Sequence, residues 1–411
     1  MKLVKMSLLA ATLIASSAFA IDNVKVSGDA KLFYGTDDAE NLAPSGEDKG
    51  ALFAQGSSYG EASLSLGVTA DLTEGVSAGA TLYAISPLGL QNNLIGATWT
   101  GGLQDNFWFG EAWLAGTVGK TTGKIGRMTL DTPLVFTETW SVVPNTFEAA
   151  VAINQDIPDT VLVGAYIGQS NDVVVDGTGA DNAAGDDAQS NLYSSFYEGT
   201  YAAGVVNNSW EPLTVQAWYF QAQHQLSAYW LQGDLNIIGL DFGLQFTGTD
   251  ETAALSDESN SAFAGKVGYE MKDTFAVSAA FSQTGDTVTT TQVGANLAGY
   301  GQSKLYTEAW WNYGYITLAD TTAINVTATT PEELTWAQLG LYLTQSTTKD
   351  GYAAGTKDLE MTEVTLEAAK SFGPLDVGLY YIMTDASDQN EKGGEEGSAY
   401  NSLQAYLTYN F

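Results

Sequence analysis

From Leu403 to Phe411 the chain alternates without a break. Phe411, Tyr409, Leu407, Ala405 and Leu403 share one face of a strand, while Asn410, Thr408, Tyr406, Gln404 and Ser402 share the other. Such a strand belongs to a sheet that meets something oily on one side and something wet on the other. The same period recurs far upstream, where Leu64, Leu66, Val68 and Ala70 oppose Ser63, Ser65, Thr69 and Asp71. It recurs again where Leu339, Leu341 and Leu343 oppose Gln338, Tyr342 and Thr344. Beyond the N-terminus no apolar run approaches the roughly 18 residues that a transmembrane helix needs. If this chain spans a bilayer it must do so as a closed barrel, the only sheet that leaves no backbone amide bare in hydrocarbon.

The N-terminus says that a membrane is in reach. Lys2 and Lys5 precede an apolar stretch from Leu8 to Ala15, closed by Ala18-Phe19-Ala20, the layout of a secretory signal peptide. The expected organisation is therefore a cleaved segment, residues 1–20, and one transmembrane β-barrel domain, residues 21–411. No Pro-rich linker or change of texture divides the latter. A mean hydropathy of -0.05 fits strands that are half oily and half wet. Cysteine is absent, so closure by hydrogen bonds and not by disulfides has to hold the exported chain together. The eight prolines (44, 87, 133, 144, 158, 212, 331 and 374) all fall where turns or loops are expected, as a ladder residue without an N–H requires.

The fold class predicted is all-β, a transmembrane antiparallel barrel of eighteen strands, with sixteen left open. Tight turns at Thr73-Glu74-Gly75, Gly119-Lys120, Ile157-Pro158-Asp159, Lys272-Asp273 and Gly373-Pro374 lie on one side. Long acidic connections at 37–57, 170–189, 250–260 and 385–398 lie on the other. Two places strain the pattern. A strand at 303–311 leaves a long periplasmic connection from Asn312 to Leu334 in which Tyr313, Tyr315, Ile316 and Leu318 look strand-like, and the outer connection Gln223 to Gln225 is very short. Trp310, Trp311, Tyr406, Tyr409 and Phe411 are candidates for aromatic girdles at the membrane interfaces.

Charge narrows the function. There are 48 acidic against 15 basic residues, a formal net of -33, which argues against nucleic acid as a partner. An acidic pore favours cations. Catalysis has little to stand on: the single histidine, His224, lies between two glutamines without a partner motif, and no nucleophile elbow or phosphate loop occurs. No cofactor is expected. Acidic clusters such as Asp181, Asp186 and Asp187, or Asp250, Glu251, Asp257 and Glu258, lack the spacing of a calcium loop and read as solvated. Weak Ca²⁺ or Mg²⁺ bridging from them to lipopolysaccharide phosphates is the minor alternative.

Between Phe107 and Gly168 the motifs Gly110-Glu111-Ala112, Lys120-Thr121, Gly126-Arg127-Met128, Leu130-Asp131-Thr132-Pro133, Pro144-Asn145-Thr146-Phe147-Glu148 and Ile157-Pro158-Asp159 follow in order. This stretch resembles the corresponding part of the Opr-type (OprD-like) outer-membrane porins. The resemblance implies an 18-stranded diffusion porin, often a homotrimer, whose third extracellular loop folds inward. The residues of Met128 to Asn145 suit that loop, because Leu134, Val135, Phe136 and Trp140 are out of place on an exposed tip. Folded inward, Asp131 and Glu138, with strand-borne Glu111 and Glu148, would face Arg127 across a narrow constriction. Substrate-specific members of that family carry a ladder of basic side chains for carboxylates. Arg127 is the only arginine here, so cation preference is expected instead.

The function expected is a water-filled channel of the bacterial outer membrane for small hydrophilic solutes and ions, in contact with outer-membrane lipids and lipopolysaccharide. Its insertion would run through the barrel assembly machinery by the strand ending at Phe411. The alternatives are an adhesin or structural barrel acting through its acidic loops, and a barrel hydrolase, for which only His224 could serve as base.

Overall fold

A computed structural model describes residues 22–39, 51–91, 93–98, 105–171, 193–298, 301–349, 358–386 and 399–411; the expected signal peptide and the Asp181, Asp186, Asp187 cluster lie outside them. Eighteen strands follow one another: β1 Asp22–Asp37, β2 Ser58–Thr73, β3 Val76–Ser86, β4 Asn106–Val118, β5 Thr121–Met128, β6 Phe147–Asn154, β7 Thr160–Ser170, β8 Ser194–Trp210, β9 Leu213–Ala222, β10 Leu226–Ile237, β11 Leu240–Glu251, β12 Ser259–Met271, β13 Phe275–Thr284, β14 Thr321–Thr330, β15 Gln338–Thr348, β16 Leu359–Phe372, β17 Leu375–Ala386 and β18 Tyr400–Asn410. Each pairs antiparallel with its sequence neighbours. β1 also pairs with β18, from Asp29 opposite Asn410 to Asp37 opposite Ser402, so the sheet closes on itself. No helix among the described residues is long and apolar enough to cross a membrane.

Closure reverses the usual sense of inside and outside. Leu64 is 48% exposed on the outer wall, whereas its neighbours Ser63 and Ser65 are buried on the lumen side; Leu341 and Leu343 point out and Thr344 points in. The polar series of each strand lines the interior, as the alternation predicts. The tight turns fall where expected. Gly75 and Gly373, at φ of 72° and 65°, take the left-handed conformation that a two-residue hairpin asks of a residue without Cβ. The short outer connection between β9 and β10 is also present, with His224 at its tip at φ 59°.

One strand sits elsewhere than predicted. Residues 303–311 form no strand and the connection after them is not periplasmic. β14 is Thr321–Thr330, reached by a long outer loop, residues 285–320, and followed by an inner turn, residues 331–337. The sequence TTAINVTATT is only faintly apolar, because Ala323 and Asn325 face a lumen already filled by that loop, so its alternation is quiet. Trp310-Trp311 is loud for another reason: it anchors the loop inside the barrel. Tyr313–Ile316 is a short 3₁₀ turn. Trp310, Trp311 and Tyr406 are accordingly lumen residues and not girdle residues, while Tyr409 and Phe411 stay exposed at 49% and 43%.

A candidate constriction built from two infolded loops

The third outer loop (L3, residues 129–146) turns into the barrel. Its first bend is fixed locally, since Thr132 Oγ1 donates to Val135 O (2.6 Å) and accepts from Val135 N (3.1 Å) around Pro133. Leu134 and Val135 are thereby buried in an apolar cluster with Phe220, Leu226 and Trp230 from β9 and β10. Farther along, Val142 O accepts from Ser63 Oγ of β2 (2.8 Å), and Trp140 O accepts from Tyr406 of β18 (3.3 Å). L3 thus touches the wall on well-separated sides and crosses the lumen between them.

The seventh outer loop (L7, residues 285–320) meets it there and is riveted to the other half of the wall. Tyr306 donates to Asp234 of β10 (2.6 Å), and Gln245 of β11 bonds Lys304 O (2.8 Å) and Tyr306 N (3.0 Å). Asn325 of β14 donates to Glu308 O (3.2 Å). Glu363 of β16 accepts from Trp311 N (3.1 Å), Asn312 N (2.8 Å) and Asn312 Nδ2 (2.8 Å), and Asn312 also reaches Thr384 of β17 (2.9 Å). Backbone amides that no strand satisfies are met by wall side chains, which is what holds an irregular segment at membrane depth.

L3 and L7 are joined through Asn296. Its amide accepts from Phe136 N (3.2 Å) and donates to Phe136 O (2.9 Å) and Glu138 Oε1 (2.9 Å); Leu297 N donates to Leu134 O (2.8 Å). Lys304 of L7 is bonded to Asp131 of L3. Glu308 of L7 lies partly buried beside this junction. Desolvation pushes its carboxyl up to about 8, with the nearby Glu138 adding to the rise and the Ser303 amide and Lys304 opposing it.

The five residues expected at the constriction are separated by the structure into three groups. Arg127 and Glu148 pair directly (2.6 Å), with the guanidinium also donating to Phe109 O (2.7 Å) and lying over the Tyr193 ring (3.7 Å). Glu111, on the adjoining β4, accepts from Thr81 (3.2 Å). Asp131 is highly exposed and held by Lys304. Glu138 does not face the water at all: it is fully buried and accepts from Trp140 Nε1 (2.7 Å) and Asn296. A loop carboxylate buried with donors on it ties segments together. The L7 residues that complete the junction, Asn296, Lys304, Glu308 and Asn312, carry no sequence motif; the only hint is aromatic density without period-2 alternation between Tyr306 and Tyr315.

Two further features border the opening. Rings form an unbroken path along the inner wall: Tyr59 to Phe33 (5.7 Å between centroids), Phe33 to Tyr406 (4.6 Å), Tyr406 to Tyr380 (5.6 Å), Tyr380 to Trp310 (4.8 Å) and Trp310 to Tyr342 (4.8 Å). Below the loops, toward the inner turns, a cavity of about 770 Å³ is lined by Trp140, Glu308, Trp310, Tyr342, Lys370 and Asp376 among others. Among the described residues no group of three or more His, Asp or Glu is placed to hold a metal ion. Glu251, from one of the acidic clusters, accepts from Ser256 Oγ (2.6 Å), Thr290 N (2.9 Å), Thr291 N (2.7 Å) and Thr291 Oγ1 (2.6 Å).

The fold is a closed 18-stranded antiparallel barrel, here with its third outer loop turned into the lumen, and it matches the fold of solved OprD-type porins. The chain is similar in structure to Pseudomonas aeruginosa OpdO (13% identity, TM-score 0.69, covering 95% of this chain and 97% of that one) and OccK8, also called OprE (14%, 0.70, 96% and 99%). It is likewise similar to Acinetobacter baumannii OccAB1 (12%, 0.72, 96% and 98%). Identities this low speak for the shared fold alone. No family model and no curated protein matches the sequence.

Proposed function

We propose that the chain is a porin of the bacterial outer membrane, a water-filled channel through which small hydrophilic solutes and ions diffuse, with a preference for cations and with L3 and L7 forming its narrow section. Glu111, Arg127, Asp131 and Glu148 act on passing ions there, and Glu138 holds the loops. The observation that carries the reading is how the basic groups are used. Lys31 lies 3.8 Å from Asp29, Arg127 2.6 Å from Glu148, Lys266 2.7 Å from Asp241 and Lys370 3.1 Å from Glu332, and Lys304 contacts Asp131. Each of these five positive charges is matched and Lys124 lies over the Trp113 ring (4.3 Å), while Glu111, Glu367 and Asp376 remain on or near the inner wall without a basic partner at ion-pair distance. With a screening length of about 8 Å at physiological salt, wall charges in a narrow channel are felt at its centre.

A salt gradient across a planar bilayer holding the purified protein tests this. The reversal potential should take the sign of cation permeation; anion preference overturns the selectivity, and the absence of stepwise currents overturns the channel. The same reading carries homotrimeric assembly, contact with lipopolysaccharide, and insertion through the barrel assembly machinery by the strand that ends at Phe411.

A further inference from the structure

The cavity beneath the loops holds a side-chain set that a charge filter does not require. Tyr342, Tyr380 and Tyr406 come up from the inner wall, Trp310 descends from L7 between the first two, and Trp140 reaches in from L3. The phenols are held in place, since Glu367 accepts from Tyr342 (2.6 Å) and Tyr380 (3.4 Å). Interleaved with the rings are neutral groups that donate and accept, Asn325, Thr327, Gln338 and Thr408. At the lower rim stand Asp376 and Glu332, and the one basic residue of the described lining, Lys370, already engages Glu332 at 3.1 Å.

Aromatic surface alone would suit an apolar ligand, and carboxylates alone a cation. Both together, with amides and hydroxyls between them, suit a solute that is apolar on its faces and hydroxylated on its rim. Carboxylates that accept from hydroxyls form the stronger charge-assisted kind of hydrogen bond. An anion would meet Glu332 and Asp376 with no uncommitted positive charge among the described lining residues. We propose that this cavity is a binding subsite for neutral polyhydroxylated solutes, saccharides in chemical class, held by the aromatic band on their C–H faces and by the lining amides, hydroxyls and carboxylates on their hydroxyls. The volume of about 770 Å³ is in the range of small-molecule sites. The inference rests on the open-channel reading and adds a residence site to it.

The experiment is current recording on the full-length protein in planar bilayers, with glucose, maltose or choline added on the side of the inner turns. The expected result is concentration-dependent interruption of an otherwise steady current by maltose and glucose and not by choline. Trp310→Ala should weaken the apparent saccharide affinity by about tenfold or more, equivalent to about 1.4 kcal/mol, while steady open steps persist. Gln338→Leu, which leaves L7 and its anchors untouched, should weaken it by a smaller factor and guards against loosening of the loop in the first variant. Steady currents unmoved by saccharide overturn this inference alone, and block by choline in place of saccharide overturns its ligand class. Saccharide block undiminished in both variants places the site elsewhere and overturns it too. Absence of any current step takes the channel reading down with it.

Discussion

L3 and L7 do the same job with a different balance of means. L3 enters the lumen on apolar side chains: Leu134 and Val135 are buried against Phe220 and Trp230, so the hydrophobic effect pulls its first half inward. L7 buries Leu305 and Ile316 in the same cluster but adds many more polar anchors on the wall. Glu363, Gln245, Asp234 and Asn325 of the wall each bond a backbone or hydroxyl group of L7. A loop held by burial can slide and remain buried, whereas a loop held by directed hydrogen bonds is either in register or released. L7 is thus the element that fixes the opening, and L3 is the element that rests on it through Asn296.

The largest effect that would sharpen this contrast comes from removing each loop. Replacing residues 286–319 by a short Gly-Ser connection should raise single-channel conductance several-fold and free Leu134 O, Phe136 O and Glu138 of their L7 partners. Replacing residues 131–144 should raise it less, because L7 keeps its own wall anchors. Equal conductance in the L7 variant and the parent would break the comparison outright.

Next in size is Glu363→Ala. It strips the acceptor from Trp311 N, Asn312 N and Asn312 Nδ2, and each buried donor left unmet costs about 1–3 kcal/mol. Thermal unfolding in detergent should show a clear loss for this variant and roughly half of it for Glu363→Gln, which keeps one acceptor oxygen. Val135→Ala in L3, by contrast, should lower stability by the smaller cost of trimming a buried aliphatic side chain, of order 1–3 kcal/mol, and should leave the conductance level steady. If both variants flicker alike, the two loops are not held differently.

The difference in how the loops are held also explains what could be read beforehand. Alternation betrays a strand because lipid enforces it on one face, so β2, β15 and β18 are plain. So is L3, whose run from Leu134 to Phe136 has no business on a solvated tip. β14 is dim because its lumen face meets L7, where Ala323 and Asn325 serve as well as larger or more polar residues. L7 leaves no period at all, since its anchors, Lys304, Tyr306, Glu308, Trp311 and Asn312, are scattered and their partners named above lie on five different strands. The expected constriction was legible as a composition of charges, but its geometry was not. Nothing local to Glu138 announces that Asn296, far along the chain, will bury it.

A smaller effect bears on the junction and depends on pH. The Glu308 carboxyl is raised from 4.5 to about 8, so the folded junction favours its protonated form. The associated stabilisation is complete below about pH 4.5, declines as the pH rises from there, and is gone above about pH 8. Current fluctuations attributable to the L3–L7 contact should therefore grow from acidic pH toward pH 8 and then level off. Glu308→Gln should hold the quiet, low-pH behaviour throughout. A parent protein whose fluctuations fall as pH rises would reverse the sign and refute the assignment.

The smallest effect belongs to the pair on the wall beside L3. Arg127 and Glu148 are 2.6 Å apart, yet their side chains keep 25% and 38% of their exposure, so water screens the pair and its net worth is about 1 kcal/mol or less. Arg127→Gln should barely move the melting temperature. What it should change is the field: it releases Glu148 beside Glu111 and removes the chain's only guanidinium, so permeation should shift further toward cations and the shift should shrink as ionic strength rises. A large loss of stability with unchanged selectivity would mean that the stacking of Arg127 on Tyr193, at 3.7 Å, is a structural clasp for the start of β8, and that the wall charge beside L3 does not reach the permeating ions.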